Sequence, residues 1–279
     1  MQQIMLKGIT PLTLKAKLPL VTVTINGESK QFLLDNGAPA LVLNSRYDNG
    51  GGTPLQAFTS AGEPQNIQST FIASFEWEGI RLENQLALIM DLSHYEEDTD
   101  TPIHGIMGYS EMMDLELLIN YRDKKIGLLD IPENPPNLIE MITPALIGKP
   151  RIFPIQMAHH FPLIPIRIGE HTLNMAINMG SCVNTIKKDY LEDFRLHGLL
   201  KNETPSVIRG LGTKKEAGAY PMKALFIGTA EEMYIDDMLF AFDDLEIPGM
   251  AVDGTLGYEF FMRAAVIIRF NRREMLVNI

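Results

Sequence analysis

The sequence predicts a mostly β protein made of two related lobes, and three observations carry that prediction. Its short apolar runs are β-branched or Leu-rich and are bounded by Gly, Pro, Asn or Asp, the pattern of strands. Helical periodicity is confined to 187–200 (KKDYLEDFRLHGLL), where Tyr190, Leu191 and Phe194 share a face. Two blocks of sequence recur in the same order at nearly constant spacing.

In chain order, strands are predicted over 18–25, 31–35, 40–44, 69–76, 85–90 and 115–121. A second series follows over 152–157, 162–168, 172–178, 206–209, 222–227, 238–242 and 264–270. Short helices are expected after Gly108 and Gly257, and the acidic stretch 91–100 (DLSHYEEDTD) reads as a solvated loop. Its carboxylates lack the spacing of a calcium loop.

The recurrence sets the lobes. LPLVTVTINGESKQFLLDNGAP, from Leu18, lies without gaps over FPLIPIRIGEHTLNMAINMGSC, from Phe161, an offset of 143 residues. Further on, the segment from Gly105 lies over that from Gly254 at an offset of 149, with Gly105 on Gly254, Gly108 on Gly257 and Tyr109 on Tyr258. By this reading 1–131 and 150–279 are lobes. The five prolines in 130–150 fix φ and remove backbone donors, so 132–149 reads as a linker between them.

Composition narrows the function classes. The chain has 279 residues, 46% hydrophobic and 21% charged, which is ordinary for a globular protein. A net charge of −11 speaks against a nucleic-acid partner, because gripping phosphates requires clustered Lys and Arg. No run of about 18 apolar residues is present, so no membrane-spanning helix is expected. Cys182 is the only cysteine, so no intrachain disulfide can form, and a small buried hydrophobe is its better reading. The first residues lack the apolar core of a signal peptide. The expected location is therefore cytoplasmic if this N-terminus is native, and exported if a leader was trimmed.

Each block ends a strand on a polar residue followed by a glycine turn. The segments are Phe32-Leu33-Leu34-Asp35-Asn36-Gly37-Ala38 and Met175-Ala176-Ile177-Asn178-Met179-Gly180-Ser181. Two lobes packed about a pseudo-two-fold axis would bring these turns together. Leu33-Leu34-Asp35-Asn36-Gly37-Ala38, Ile106-Met107-Gly108 and Leu256-Gly257 resemble the motifs of the aspartic peptidases, in both retropepsin-like and pepsin-like forms. The closing segment, Gly257 to Phe261 and then Ala265 to Phe270, is similar to that family's final helix and strand. The resemblance implies two acid-protease-like β-barrel lobes with a cleft between them and Asp35 and Asn178 at its floor.

The departures from the family pattern bear on chemistry. The resemblance implies one catalytic Asp per lobe, yet Asn178 stands where the second would be. The residue after each Asp is Thr or Ser in the family and stiffens the pair; here Asn36 can still bond across, whereas Met179 has no side-chain donor. Ser181 could reach a carboxylate, whereas Ala38 could not. Two close carboxylates share one proton, so one acts as general base and the other as general acid. An Asn next to Asp35 donates a hydrogen bond but has no acidic proton, and Asp35 without a like-charged neighbour is expected to be ionised near neutral pH. The expected function is recognition of an extended peptide or unfolded segment, with impaired or absent proteolysis. Two alternatives stay open: an active aspartic endopeptidase using Asp35, as a monomer or through pairing of two first lobes in a homodimer, and a structural or assembly protein.

The family also closes hairpin flaps over its substrate. The candidates here are 55–70, with Phe58, Thr59 and Gly62, and 206–222, with Gly210 and Gly212. No cofactor motif or metal spacing occurs, and the histidines, His159-His160 included, read as satisfied or solvent-facing. His104 aligns with Asp253, placing both at one strand entry.

Overall fold

The computed structural model describes residues 5–47, 52–58, 64–131, 149–210, 213–223, 225–228, 233–244 and 250–279. The predicted linker falls almost wholly outside them. The first half forms β1 (Met5–Pro11), β2 (Thr13–Lys15), β3 (Leu18–Ile25), β4 (Glu28–Leu34), β5 (Leu41–Asn44), β6 (Thr53–Phe58), β7 (Pro64–Trp77), β8 (Ile80–Met90), β9 (Gly105–Met107), β10 (Glu116–Asn120) and β11 (Lys125–Asp130). The second forms β12 (Arg151–Pro154), β13 (Gln156–Ala158), β14 (Phe161–Ile168), β15 (His171–Ile177), β16 (Asn184–Lys187), β17 (Thr204–Gly210), β18 (Thr213–Met222), β19 (Leu225–Ile227), β20 (Met233–Ile235), β21 (Met238–Asp243), β22 (Gly254–Leu256), β23 (Ala265–Arg269) and β24 (Glu274–Asn278).

The fold is mostly β, as the sequence predicts. In the first lobe β3-β4-β9-β5-β8-β7 run in order, and β7 pairs back onto β3 to close a six-stranded barrel. In the second, β18-β21-β16-β22-β15-β14 repeat that order, and β19, which begins just after β18 ends, takes up the pairing with β14.

The three-residue strands β9 and β22 thread between their neighbours. Phe32 pairs with Gly105 in parallel, and Met175 with Gly254. Both pairs reproduce the offsets 143 and 149. A Cβ on Gly105 would stand 2.2 Å from Val42 O, and one on Gly254 2.2 Å from Thr185 O. These glycines recur because a backbone passes where a side chain would sit. His104 and Asp253 do share one strand entry: His104 N–H donates to Gln31 O at 2.9 Å, and Asp253 N–H to Asn174 O at 2.9 Å.

A third sheet, β1-β11-β10-β23-β24-β12, joins the lobes through β10 and β23. Its residues alternate between two apolar layers. Leu117, Ile119, Val266 and Ile268 face a core that includes side chains of both barrels, and Leu118, Ile267 and Leu276 face the other side. Arg269 and Glu116 form a buried ion pair at the seam, Nε to Oε1 2.8 Å.

Three local expectations are corrected. Residues 91–100 contain a helix, Ser93–Thr99, instead of a free loop. Asp91 Oδ1 accepts Ser93 N–H at 2.9 Å, Tyr95 and Thr99 are buried, and Glu96 pairs with Arg46 and accepts the Ile103 N–H, so Asp91 and Glu96 are tethered. The helix expected over 187–200 is α-helical only at Leu191–Leu196, anchored by buried Phe194. The single strand expected over 152–157 is two, because β12 pairs with β24 and β13 turns onto β14.

Candidate active site

Each lobe builds its glycine turn in the same way. Asp35 N–H donates to Met107 O at 3.1 Å, and Asn178 N–H to Leu256 O at 2.9 Å. The chain then folds back, Ala38 N–H to Asp35 O at 3.1 Å and Ser181 N–H to Asn178 O at 3.3 Å. Tyr109 N–H and Tyr258 N–H next donate to Ala38 O and Ser181 O, each at 2.8 Å. The apolar strand residues before each turn are buried, Leu34 and Ile177 fully. They fix the height at which the polar residue emerges.

The two turns face each other across the seam. A Cβ built on Gly37 would stand 2.8 Å from both Asp35 Oδ1 and Asn178 Nδ2, so these atoms lie within twice that distance of each other. A Cβ on Gly180 would stand 2.1 Å from Asp35 Cγ. The second lobe's turn therefore packs directly on the first lobe's carboxylate, and only glycine permits that approach. Within each turn the next-but-one amide holds the side chain: Gly37 N–H donates to Asp35 Oδ1 at 2.7 Å and Gly180 N–H to Asn178 Oδ1 at 2.9 Å. The second bond sets the orientation of the Asn178 amide, since only its oxygen can accept.

The bracing between the turns is asymmetric. Asn36 is fully buried and makes two bonds to the opposite turn: its Nδ2 donates to Ile177 O at 2.8 Å and its Oδ1 accepts Met179 N–H at 2.9 Å. Met179 makes no polar side-chain bond and is buried in the apolar core. Its carbonyl instead accepts Tyr121 O–H at 2.8 Å. Tyr121 is fully buried against Phe261 and Tyr258. Burial first, and the Asp35 charge second, push its hydroxyl well above the usual phenol range.

Asp35 is 8% exposed. Burial raises its pKa to about 6, against the lowering effect of the Gly37 and Gly180 amides. It is thus ionised for the most part at pH 7, as expected, with its midpoint just below neutrality rather than in the ordinary carboxylate range. Asn178 is half-buried and, being neutral, adds no charge to that balance.

One expectation about these residues changes. Ser181 Oγ does not turn toward the carboxylate; it donates to Val183 O at 2.7 Å. His160 is a satisfied histidine, as expected, and its bond crosses the seam. Its Nε2 lies 3.0 Å from Gly37 O, so a turn of the second lobe touches the first lobe's Asp35 loop, and burial lowers its pKa. Its counterpart under the 143-residue offset is Lys17, whose Nζ lies 2.8 Å from Glu259 Oε1 of the opposite lobe. Nothing local in the sequence marks either His160 or Tyr121 for these contacts. Cys182 is buried, as expected, with Sγ 3.1 Å from Val207 O. Of the flap candidates, Phe58 ends β6 and Gly210 ends β17, each in a hairpin, while Thr59, Gly62 and Gly212 lie outside the described residues.

A two-lobed β architecture with facing Asp-x-Gly and Asn-x-Gly turns defines an aspartic-peptidase-like protein. Residues 21–110 match the family model Asp_protease_2, described as aspartyl protease, and that segment contains Asp35, Gly37 and Ile106-Met107-Gly108. Over that segment the chain is similar to aspartyl proteases. No curated protein matches the chain.

Proposed function

We propose that this protein binds an extended peptide between its lobes and has lost two-carboxylate proteolysis. The observation that carries the reading is the facing of Asp35 and Asn178 at the centre of two braced turns. An intact dyad holds one proton between two carboxylates and uses it on the scissile carbonyl. Here the second position has N–H bonds and no transferable proton. Loss of acid catalysis alone lowers a rate about 10²–10⁴-fold. Edge strands such as β6 and β17 suit recognition by main-chain hydrogen bonds. We also read the lobes as two copies of one unit, on the strength of pairing registers that repeat at the sequence offsets.

The test is cleavage of a reduced, alkylated protein from pH 3 to 7. The expected result is negligible turnover by the natural chain and a gain, strongest in acid, in Asn178→Asp combined with Met179→Thr. Robust turnover by the natural chain that Asp35→Ala abolishes would overturn the reading.

A further inference from the structure

Losing the shared proton does not empty the site of chemistry. Asn178 Oδ1 is occupied by the Gly180 N–H, which turns Nδ2 toward the Gly37 side, and among the described residues nothing accepts the Nδ2 hydrogens. Asp35 accepts the Gly37 N–H and keeps lone pairs beyond that bond. A negatively charged acceptor and a neutral, oriented donor thus stand side by side, the first 8% exposed and the second half-buried. Those are the two elements an acyl transfer to water requires: a base for the water and a donor for the developing oxyanion.

We propose that Asp35 and Asn178 form a one-carboxylate hydrolytic pair for carboxylic esters, with Asp35 as general base and Asn178 Nδ2 as oxyanion donor. The Asp35 carboxylate takes a proton from water as the water oxygen bonds to the acyl carbon. The carbonyl electron pair moves to oxygen, where Asn178 Nδ2–H holds it. Collapse re-forms the carbonyl, breaks the acyl carbon–oxygen bond, and the proton on Asp35 passes to the departing oxygen. An acid and an alcohol result, and Asp35 returns to its carboxylate form. An ester is the class this pair suits. An ester oxygen departs with little or no prior proton transfer, whereas an amide nitrogen leaves only once protonated and so depends wholly on the single proton that Asp35 carries. The inference rests on the same site as the peptide-binding reading and adds turnover to it.

The experiment is hydrolysis of the 4-nitrophenyl ester of an N-acetylated hydrophobic dipeptide between pH 4 and 8. The expected rate rises with pH as Asp35 loses its proton and then levels, the reverse of an acid-dependent dyad. Asp35→Asn is expected to lower kcat about 10²–10⁴-fold. Asn178→Ala is expected to lower it about 10²–10³-fold with little change in KM, the sign of a contact made in the transition state. Thermal melting of both variants checks that they are folded. Turnover in folded Asp35→Asn equal to that of the natural chain overturns the proposal, as does an unchanged kcat in Asn178→Ala or a rate that falls as pH rises. Calorimetry with the corresponding uncleavable peptide separates the two readings. Binding without Asp35-dependent ester turnover removes only the hydrolytic one, and turnover without peptide binding removes only the recognition one.

Discussion

Asp35 illustrates a site residue that costs the fold stability. Its carboxyl has a pKa of about 6 when folded and near 3.8 when unfolded, so between those values the folded state holds more proton. Stability therefore falls as pH rises through that window and is flat above it. About two pH units of difference correspond to about 3 kcal/mol at pH 7. Asp35→Asn should accordingly raise Tm at pH 7 and leave it nearly unchanged at pH 3.5; an equal effect at both values, measured by calorimetry, would contradict this. Asn36 works in the opposite sense. Asn36→Ala strands the buried Met179 N–H and Ile177 O, at about 1–3 kcal/mol each, and urea unfolding should show the loss. Tyr121→Phe strands only Met179 O and should cost about 1–3 kcal/mol. Asp35 and Asn178 were legible because a strand, a polar residue and a glycine fall together in sequence. Tyr121 and His160 were not, because they arrive from 58 and 123 residues away from their partners.

Among elements, legibility followed the length of the apolar run. β3, with its eight-residue alternation, was predicted to the residue, and β4, β14, β15 and β23 to within a few. The strands β9 and β22 went unpredicted because three residues carry no periodicity, although the motifs within them were recognised. What holds them in place is the space between two neighbouring strands, which excludes a side chain at their first residue. Gly105→Ala should therefore destabilise by about 1–3 kcal/mol or prevent folding, since Val42 O and the Phe32 ring cannot both give way. A Tm within a degree of the natural chain would refute that. The helix Ser93–Thr99 was missed for another reason: its acids looked solvated, and only the fold supplies Arg46, Tyr47 and the Ile103 amide as partners for Glu96.

At the scale of the molecule, the joining sheet decides cooperativity. Its ion pair is buried, so removing one partner takes a charged hydrogen bond from a desolvated Arg269: Glu116→Gln should cost about 1.5–3 kcal/mol. Arg269 keeps Glu274 as a second partner, Nη1 to Oε2 2.8 Å, so the loss falls below that of a fully unpaired charge. Because the pair spans β10 and β23, this loss should lower a single transition common to both halves, read by calorimetry; two separated transitions would show that the halves melt independently. Two lobes were readable from the recurring blocks. The sheet between them was not, because β10 and β23 meet only when the halves are assembled.

At the middle of that sheet Leu118 sits opposite Ile267, and these two residues are also each other's equivalents under the 149-residue spacing. Under that spacing the pairing register is symmetric about this rung. On either side of it β10 meets β23 rung for rung as it would meet an antiparallel copy of itself with Leu118 against Leu118. Cut free at the end of β11, the first half would leave that edge of β10 with its backbone donors and acceptors unsatisfied.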